Sequence, residues 1–216
     1  RDGSRMFTVG SINDMVYQFN LTVNFDVTTA SLANQFSVIF EETNPTSVSF
    51  NTSGTRMFVM GTTNDLIHEV ILDQPYDLST AYYTGNVFDV STEELSPEEM
   101  TWNNDGTRFF VVGSSGDDVN AYDVSNPFDI STASYSGVSL SVSAVAFSPT
   151  SLAFNADGSR LYVAGNSSDR IFTYNLTTGF DLSTATIAGI TFNLAGFETS
   201  PQGLFLTEDG TKHYMT

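Results

Sequence analysis

The groups in this chain with most chemistry to offer are carboxylates. Asp and Glu number 25 against 7 Lys and Arg, with two histidines and no cysteine. Acids gather at recurrent links: Glu41-Glu42, then Glu93-Glu94 with Glu98 and Glu99 just beyond, then Glu198. Hard oxygen donors converging on one opening suit calcium, so Glu42, Glu94, Glu98, Glu99 and Glu198 are the candidate metal ligands. A calcium ion held there could polarise a substrate carbonyl. The competing reading is a solvated acidic rim that follows the overall charge. No catalytic residue set stands out beyond these acids. His68 and His213 have no visible acid and serine partners, no Gly-X-Ser-X-Gly elbow occurs, and thiolate chemistry is excluded outright.

What positions these acids is a repeat. Pro45, Pro97, Pro149 and Pro201 fall at steps of 52, and Gly54, Gly106, Gly158 and Gly210 keep the same step. A period of this size marks stacked supersecondary units that bury their apolar surface against neighbours. In the unit 149–200, Pro149 to Asn155 is a short apolar run and Ala156-Asp157-Gly158-Ser159 a tight-turn signal. Arg160 to Ala164 and Ile171 to Leu176 read as two further strands, Phe180 to Ala185 as a loop, and Ile187 to Leu194 as a fourth strand. The pattern predicts an all-β propeller with about four visible blades, each a four-stranded antiparallel sheet. The expected organisation is one propeller domain over 1–216. Its repeats are 1–44, which lacks an inner strand, then 45–96, 97–148, 149–200 and a partial 201–216.

The string Asp157-Gly158-Ser159-Arg160-Leu161-Tyr162-Val163-Ala164-Gly165, followed by Asp169 and Ile171 to Leu176, resembles the blade repeat of the YVTN/lactonase-like β-propeller superfamily. The resemblance runs along essentially the whole chain and implies the fold. It carries no catalytic residue over, because that repeat serves lactonases, surface-layer proteins and binding scaffolds alike.

Residues present in every unit are expected to serve the fold. Arg5, Arg56, Arg108, Arg160 and Lys212 share one column. Their expected partners are two aspartate columns, Asp14/Asp65/Asp117/Asp169 and Asp26/Asp77/Asp129/Asp181. Each aspartate of the second column precedes a hydroxyl residue by two, the spacing of an Asx-turn. Arg56, Arg108, Arg160, Asp77, Asp129 and Asp181 are therefore assigned structural roles. The sequons at Asn20, Asn51, Asn166 and Asn175 are candidate glycosylation sites in a secretory setting only.

A formal charge of −18 argues against nucleic acid and anionic membrane surfaces as partners. No apolar run is long enough for a membrane helix, so membrane insertion is not expected. The stretch Glu208 to Thr216 duplicates the columns of Arg1 to Val9, which suggests a segment of a larger array, or self-association through terminal strands. Taken together, the sequence favours a non-enzymatic extracellular or cell-surface scaffold or recognition module with a protein or carbohydrate ligand. The alternative is a calcium-dependent lactonase-like hydrolase.

Overall fold

A computed structural model describes residues 2–166, 169–194, 196, 201–207 and 212–215. The chain is all-β with the blades of a β-propeller, and apart from strands the described residues hold four short 3-10 turns. It divides into two compact units, Arg1–Asp89 and Val90–Thr216.

The first unit begins with a three-stranded sheet of β1 (Arg5–Gly10), β2 (Met15–Leu21) and β3 (Ala30–Ser37). A full blade follows, made of β4 (Pro45–Phe50), β5 (Arg56–Gly61), β6 (Leu66–Leu72) and β7 (Ala81–Asp89). The second unit holds one blade of β8 (Pro97–Trp102), β9 (Arg108–Gly113), β10 (Asp118–Val124) and β11 (Ala133–Ser141), and another of β12 (Pro149–Phe154), β13 (Arg160–Gly165), β14 (Arg170–Leu176) and β15 (Ala185–Asn193). A two-stranded sheet, β16 (Leu204–Leu206) with β17 (His213–Met215), follows them. Every pairing is antiparallel between chain neighbours. The strands of the unit 149–200 fall where alternation and turn signals place them; its loop signal forms the 3-10 turn Leu182–Thr184.

Alternation buries both faces of a blade against its neighbours. In the second unit, Leu161, Val163, Phe172 and Tyr174 of one blade share a core with Phe110, Val112, Val119 and Ala121 of the other. On the opposite face, Ala164 and Ile171 pack with Leu204 and Leu206. In the first unit, Phe7, Val9 and Val16 meet Met57, Val59 and Val70 in the same way.

Three local devices recur. The first is the Asx-turn: Asp26, Asp77, Asp129 and Asp181 each accept from the backbone N–H and the hydroxyl of the residue two ahead, at 2.6–3.2 Å. Those hydroxyl and amide donors hold the Asp77 and Asp181 carboxyls below their ordinary range. The second stacks an aromatic residue on a glycine. Phe25, Tyr76, Phe128 and Phe180 all sit in the left-handed region, φ 57–60°, directly over the hairpin glycines Gly3, Gly54, Gly106 and Gly158. A bulky residue there is a true outlier, and its recurrence marks a position fixed by surroundings. The third is a clamp that composition does not reveal. Asn51, Asn103 and Asn155, again one repeat apart, accept the amide of Arg56, Arg108 and Arg160 and so close the first hairpin of each blade.

The arginine column corrects the expected arginine–aspartate pairing. Arg5 donates to the carbonyls of Pro75 (2.9 Å) and Tyr76 (2.5 Å), and Arg108 to that of Phe180 (3.3 Å), each on the next blade. Asp77 and Asp181 feel these guanidiniums through space only. The ion pairs are with other acids: Arg108 with Asp123, directly opposite in the β9–β10 register, and Arg56 with the buried Glu69. Asp123 is the cross-strand partner of Arg108, and Glu69, opposite Phe58, is the diagonal neighbour of Arg56; a column of like residues does not disclose either.

Candidate functional site: a carboxyl pair on a bulged inner strand

The acidic residues nominated by sequence separate into two kinds. Glu42 and Glu94 are buried, at 0% and 1% exposure, and their carboxylates face their own backbone. Glu42 Oε1 accepts from the amides of Asn44 (2.7 Å) and Thr63 (3.2 Å). Glu94 accepts from the amides of Ser96 (2.8 Å), Ser115 (3.0 Å) and Gly116 (3.1 Å). Each carboxylate ties the link entering a blade to the second hairpin of that blade. Burial nonetheless raises the Glu94 carboxyl above its ordinary range, against the pull of these amides. Gly61 and Gly113 admit the two glutamates, since a Cβ at either would lie within 2.5 Å of the carboxylate carbon.

Glu98 and Glu99 stand differently. The β8–β9 register skips between Pro97 and Glu99, which leaves Glu98 as the extra residue of a β-bulge. Bulges of this kind re-aim side chains. Glu98 Oε1 takes hydrogen bonds from the hydroxyls of Ser114 (3.2 Å) and Ser96 (3.5 Å), and burial raises its carboxyl despite them. Glu99 reaches out of its own blade. Its Oε2 accepts from the amide of Leu152 on β12 at 2.9 Å, and the amide of Leu204 on β16 also donates to it. The Ser151 hydroxyl, buried and without a well-formed hydrogen bond, lies beside the same carboxyl. Burial pushes Glu99 up to about 8, so at neutral pH it is largely the neutral acid, able to donate as well as accept. The inner strands of three successive sheets thus meet at one carboxyl.

This arrangement does not suit the calcium expectation. Glu42 spends Oε1 and Glu94 both oxygens on backbone amides, Glu98 its Oε1 on serines and Glu99 its Oε2 on a neighbouring strand; Glu42 Oε2 is buried without a hydrogen-bond partner, but among the described residues no three acidic or histidine side chains converge as metal ligands. Glu198 lies outside the described residues. Of the structural assignments, Asp77, Asp129 and Asp181 cap their turns as above, and Arg160 is exposed. Of the sequons, Asn20, Asn166 and Asn175 are exposed, whereas Asn51 is 8% exposed with its amide oxygen engaged by Thr55 and Arg56, which closes it to a glycan. His68 is buried in edge contact with Tyr83, a packing position, and burial lowers its pKa. Sequence reasoning named Glu98 and Glu99 but missed Ser96, Ser114 and Ser151. The available signal was the column Ser47/Glu99/Ser151, where one blade alone replaces a small hydroxyl by a carboxyl.

No family model matches the sequence, and no curated protein does. Solved structures do match. A candidate 6-phosphogluconolactonase of Bacteroides uniformis aligns with TM-score 0.62 at 14% identity, and another of Bacteroides fragilis with TM-score 0.62 at 16%; each alignment covers 100% of this chain and 61% of the other. A protein from Lactobacillus plantarum aligns with TM-score 0.58 at 17% identity over 100% of this chain and 62% of its own. The chain therefore has the fold of the lactonase-like β-propellers and spans about 61% of the length of these neighbours. The expectation of a non-enzymatic scaffold or recognition module is corrected by these neighbours, which point to the hydrolase alternative. Among the described residues no helix is long and apolar enough to cross a membrane.

Proposed function

We propose that this chain carries the acid–base site of a lactone-opening hydrolase acting on a sugar-acid lactone. The observation that carries the proposal is Glu99, a carboxyl raised to about 8 where the inner strands β8, β12 and β16 meet, next to Glu98 on a bulge. The likeness to two candidate 6-phosphogluconolactonases supports the substrate class. Lactone opening needs one group to take a proton from the attacking water and one to give a proton to the departing ring oxygen. Glu98, made more basic by burial, accepts the water proton as the new C–O bond forms at the carbonyl carbon. Glu99 supplies its proton to the ring oxygen as the ring C–O bond breaks. The product is the open hydroxy acid, and the proton on Glu98 returns the pair to its starting state through solvent. No step is routed through calcium.

The test is a pH-stat assay with glucono-δ-lactone and its 6-phosphate at pH 6.5. The parent chain is expected to open one of them faster than buffer alone, and Glu99→Gln and Glu98→Gln to lose on the order of 100-fold or more. A rate equal to the buffer control, or one untouched by both substitutions, would remove the proposal.

A further inference from the structure

A sugar-acid lactone can carry a charge of its own, as a 6-phosphate does, or none, and the groups around Glu98 and Glu99 favour one of the two. The bulge lies in a run of carboxyls. Burial raises Glu98, with the Glu94 charge adding; burial raises Glu94, with Asp118 adding; and burial raises Asp118, with Asp117 adding. Glu94 and Asp118 close on the same turn, since a Cβ at Gly116 would lie 2.9 Å from Asp118 Oδ1 and 3.3 Å from Glu94 Oε2. The hydrogen-bonding side chains set among these acids are neutral hydroxyls. Ser96 and Ser114 stand 3.1 Å apart, both half-buried, and both meet Glu98 through its Oε1.

The cations of the second unit stand elsewhere. Arg108 begins β9 and pairs with Asp123, whereas Gly113, opposite Pro97, ends it; five residues of strand put roughly 17 Å between those ends. Arg160 begins β13 in the same way, with Gly165 opposite Pro149 at the other end. Lys212 holds the same column, its carbonyl accepting from the Thr207 amide just past the end of β16. Arg170 does lie at the Pro149 end, opposite Gly165. It is exposed, however, and two strands out from β12, about 10 Å away. In the first unit Arg5 is held by the carbonyls of Pro75 and Tyr76 and Arg56 by Glu69. Arg1 lies outside the described residues.

We infer that the site takes an uncharged polyhydroxy lactone and discriminates against its phosphorylated form. This rests on the lactone-opening reading of Glu98 and Glu99 and narrows its substrate. A phosphate monoester brings about −1.5 to −2 charge near pH 7 into a run of carboxyls where, among the described residues of the unit, no cation stands beside it. Sugar hydroxyls can instead donate to Glu98 and to the oxygens of Ser96 and Ser114. The two candidate 6-phosphogluconolactonases share a fold with this chain at 14% and 16% identity, and a shared fold does not carry a phosphate-binding group with it.

Initial rates with glucono-δ-lactone and its 6-phosphate, each corrected for spontaneous opening, test this at low and high salt. At about 0.1 M sodium chloride kcat/KM is expected to favour the neutral lactone at least tenfold. The preference should shrink at about 1 M, where the Debye length falls from roughly 10 Å to roughly 3 Å. Ser115→Lys places a cation on the exposed turn beside Ser114. It is expected to raise kcat/KM for the 6-phosphate at least threefold and to leave the neutral lactone unchanged, while Arg170→Gln changes neither. A 6-phosphate opened as fast or faster, a preference indifferent to salt, a Ser115→Lys variant that gains nothing, or a 6-phosphate rate lost in Arg170→Gln would each overturn the inference and leave the hydrolase reading standing. Turnover of neither lactone would remove both.

Discussion

Gly158→Ala is expected to unfold about 3 kcal/mol more easily than the parent, the sum of a left-handed backbone cost of roughly 1–2 kcal/mol and overpacking of a similar size. Gly158 has φ +71°, and a Cβ there would lie 2.3 Å from Cδ2 of Phe180. Phe180 has little freedom to retreat. Its own φ is 60°, its amide donates to the Gly158 carbonyl at 3.1 Å, and its ring packs, tilted, against Phe154 at 5.1 Å in the core shared by two blades. Gly10→Ala is the control, since nothing lies within 4 Å of a Cβ at that position and its φ is not in the left-handed region. Urea unfolding of the two variants should separate them clearly, and equal midpoints would contradict the stacked-glycine description.

The second large effect is a dependence of stability on pH that Glu99→Gln reduces. Glu99 titrates near 8 in the folded chain against an ordinary 4.5. A carboxyl raised on folding stabilises the protein fully while both states hold the proton, below pH 4.5. That stabilisation declines as pH rises and is gone above about 8, where both states have lost the proton. Across this window the loss amounts to a few kcal/mol. Glutamine keeps the shape and stays neutral, so the variant should decline less steeply than the parent and should be the more stable of the two at pH 8.5. Thermal melts of both proteins at pH 5.5, 7 and 8.5 provide the comparison. Glu98 and Glu94 are raised in the same direction and will leave some slope in the variant.

Much of the fold was legible because the repeat is written in residues that act locally. The Asp157-Gly158 turn, the alternation of Ile171 to Leu176 and the spacing of Asp181 to Ser183 each determine structure within a few residues, and each appears where those signals place it. Long-range partners were not legible. The arginine column is visible, but Arg5 and Arg108 donate to carbonyls about 70 residues away, and a carbonyl has no letter in the sequence. The aromatic residues of the second loop are visible too, but nothing in their type announces a left-handed backbone, which is imposed by the glycine beneath and the blade beside them. Glu42 and Glu94 misled for a related reason. A glutamate at an exposed-looking link and one folded back onto three amides are spelled alike, and only the turn residues Ser115 and Gly116 hold the difference. For the candidate site, sequence singled out Glu98 and Glu99 as acids among acids. The bulge that re-aims one, and the two neighbouring strands that bury the other, are tertiary facts.

The most direct measurement is the titration of the Glu99 carboxyl itself, followed by carbon-13 NMR on protein labelled at glutamate Cδ, with Glu99→Gln to assign the resonance. A midpoint near 8 is expected for a carboxyl buried where β8, β12 and β16 meet. A midpoint near the ordinary 4.5 would mean a solvated carboxylate, and the acid–base site built on it would fall.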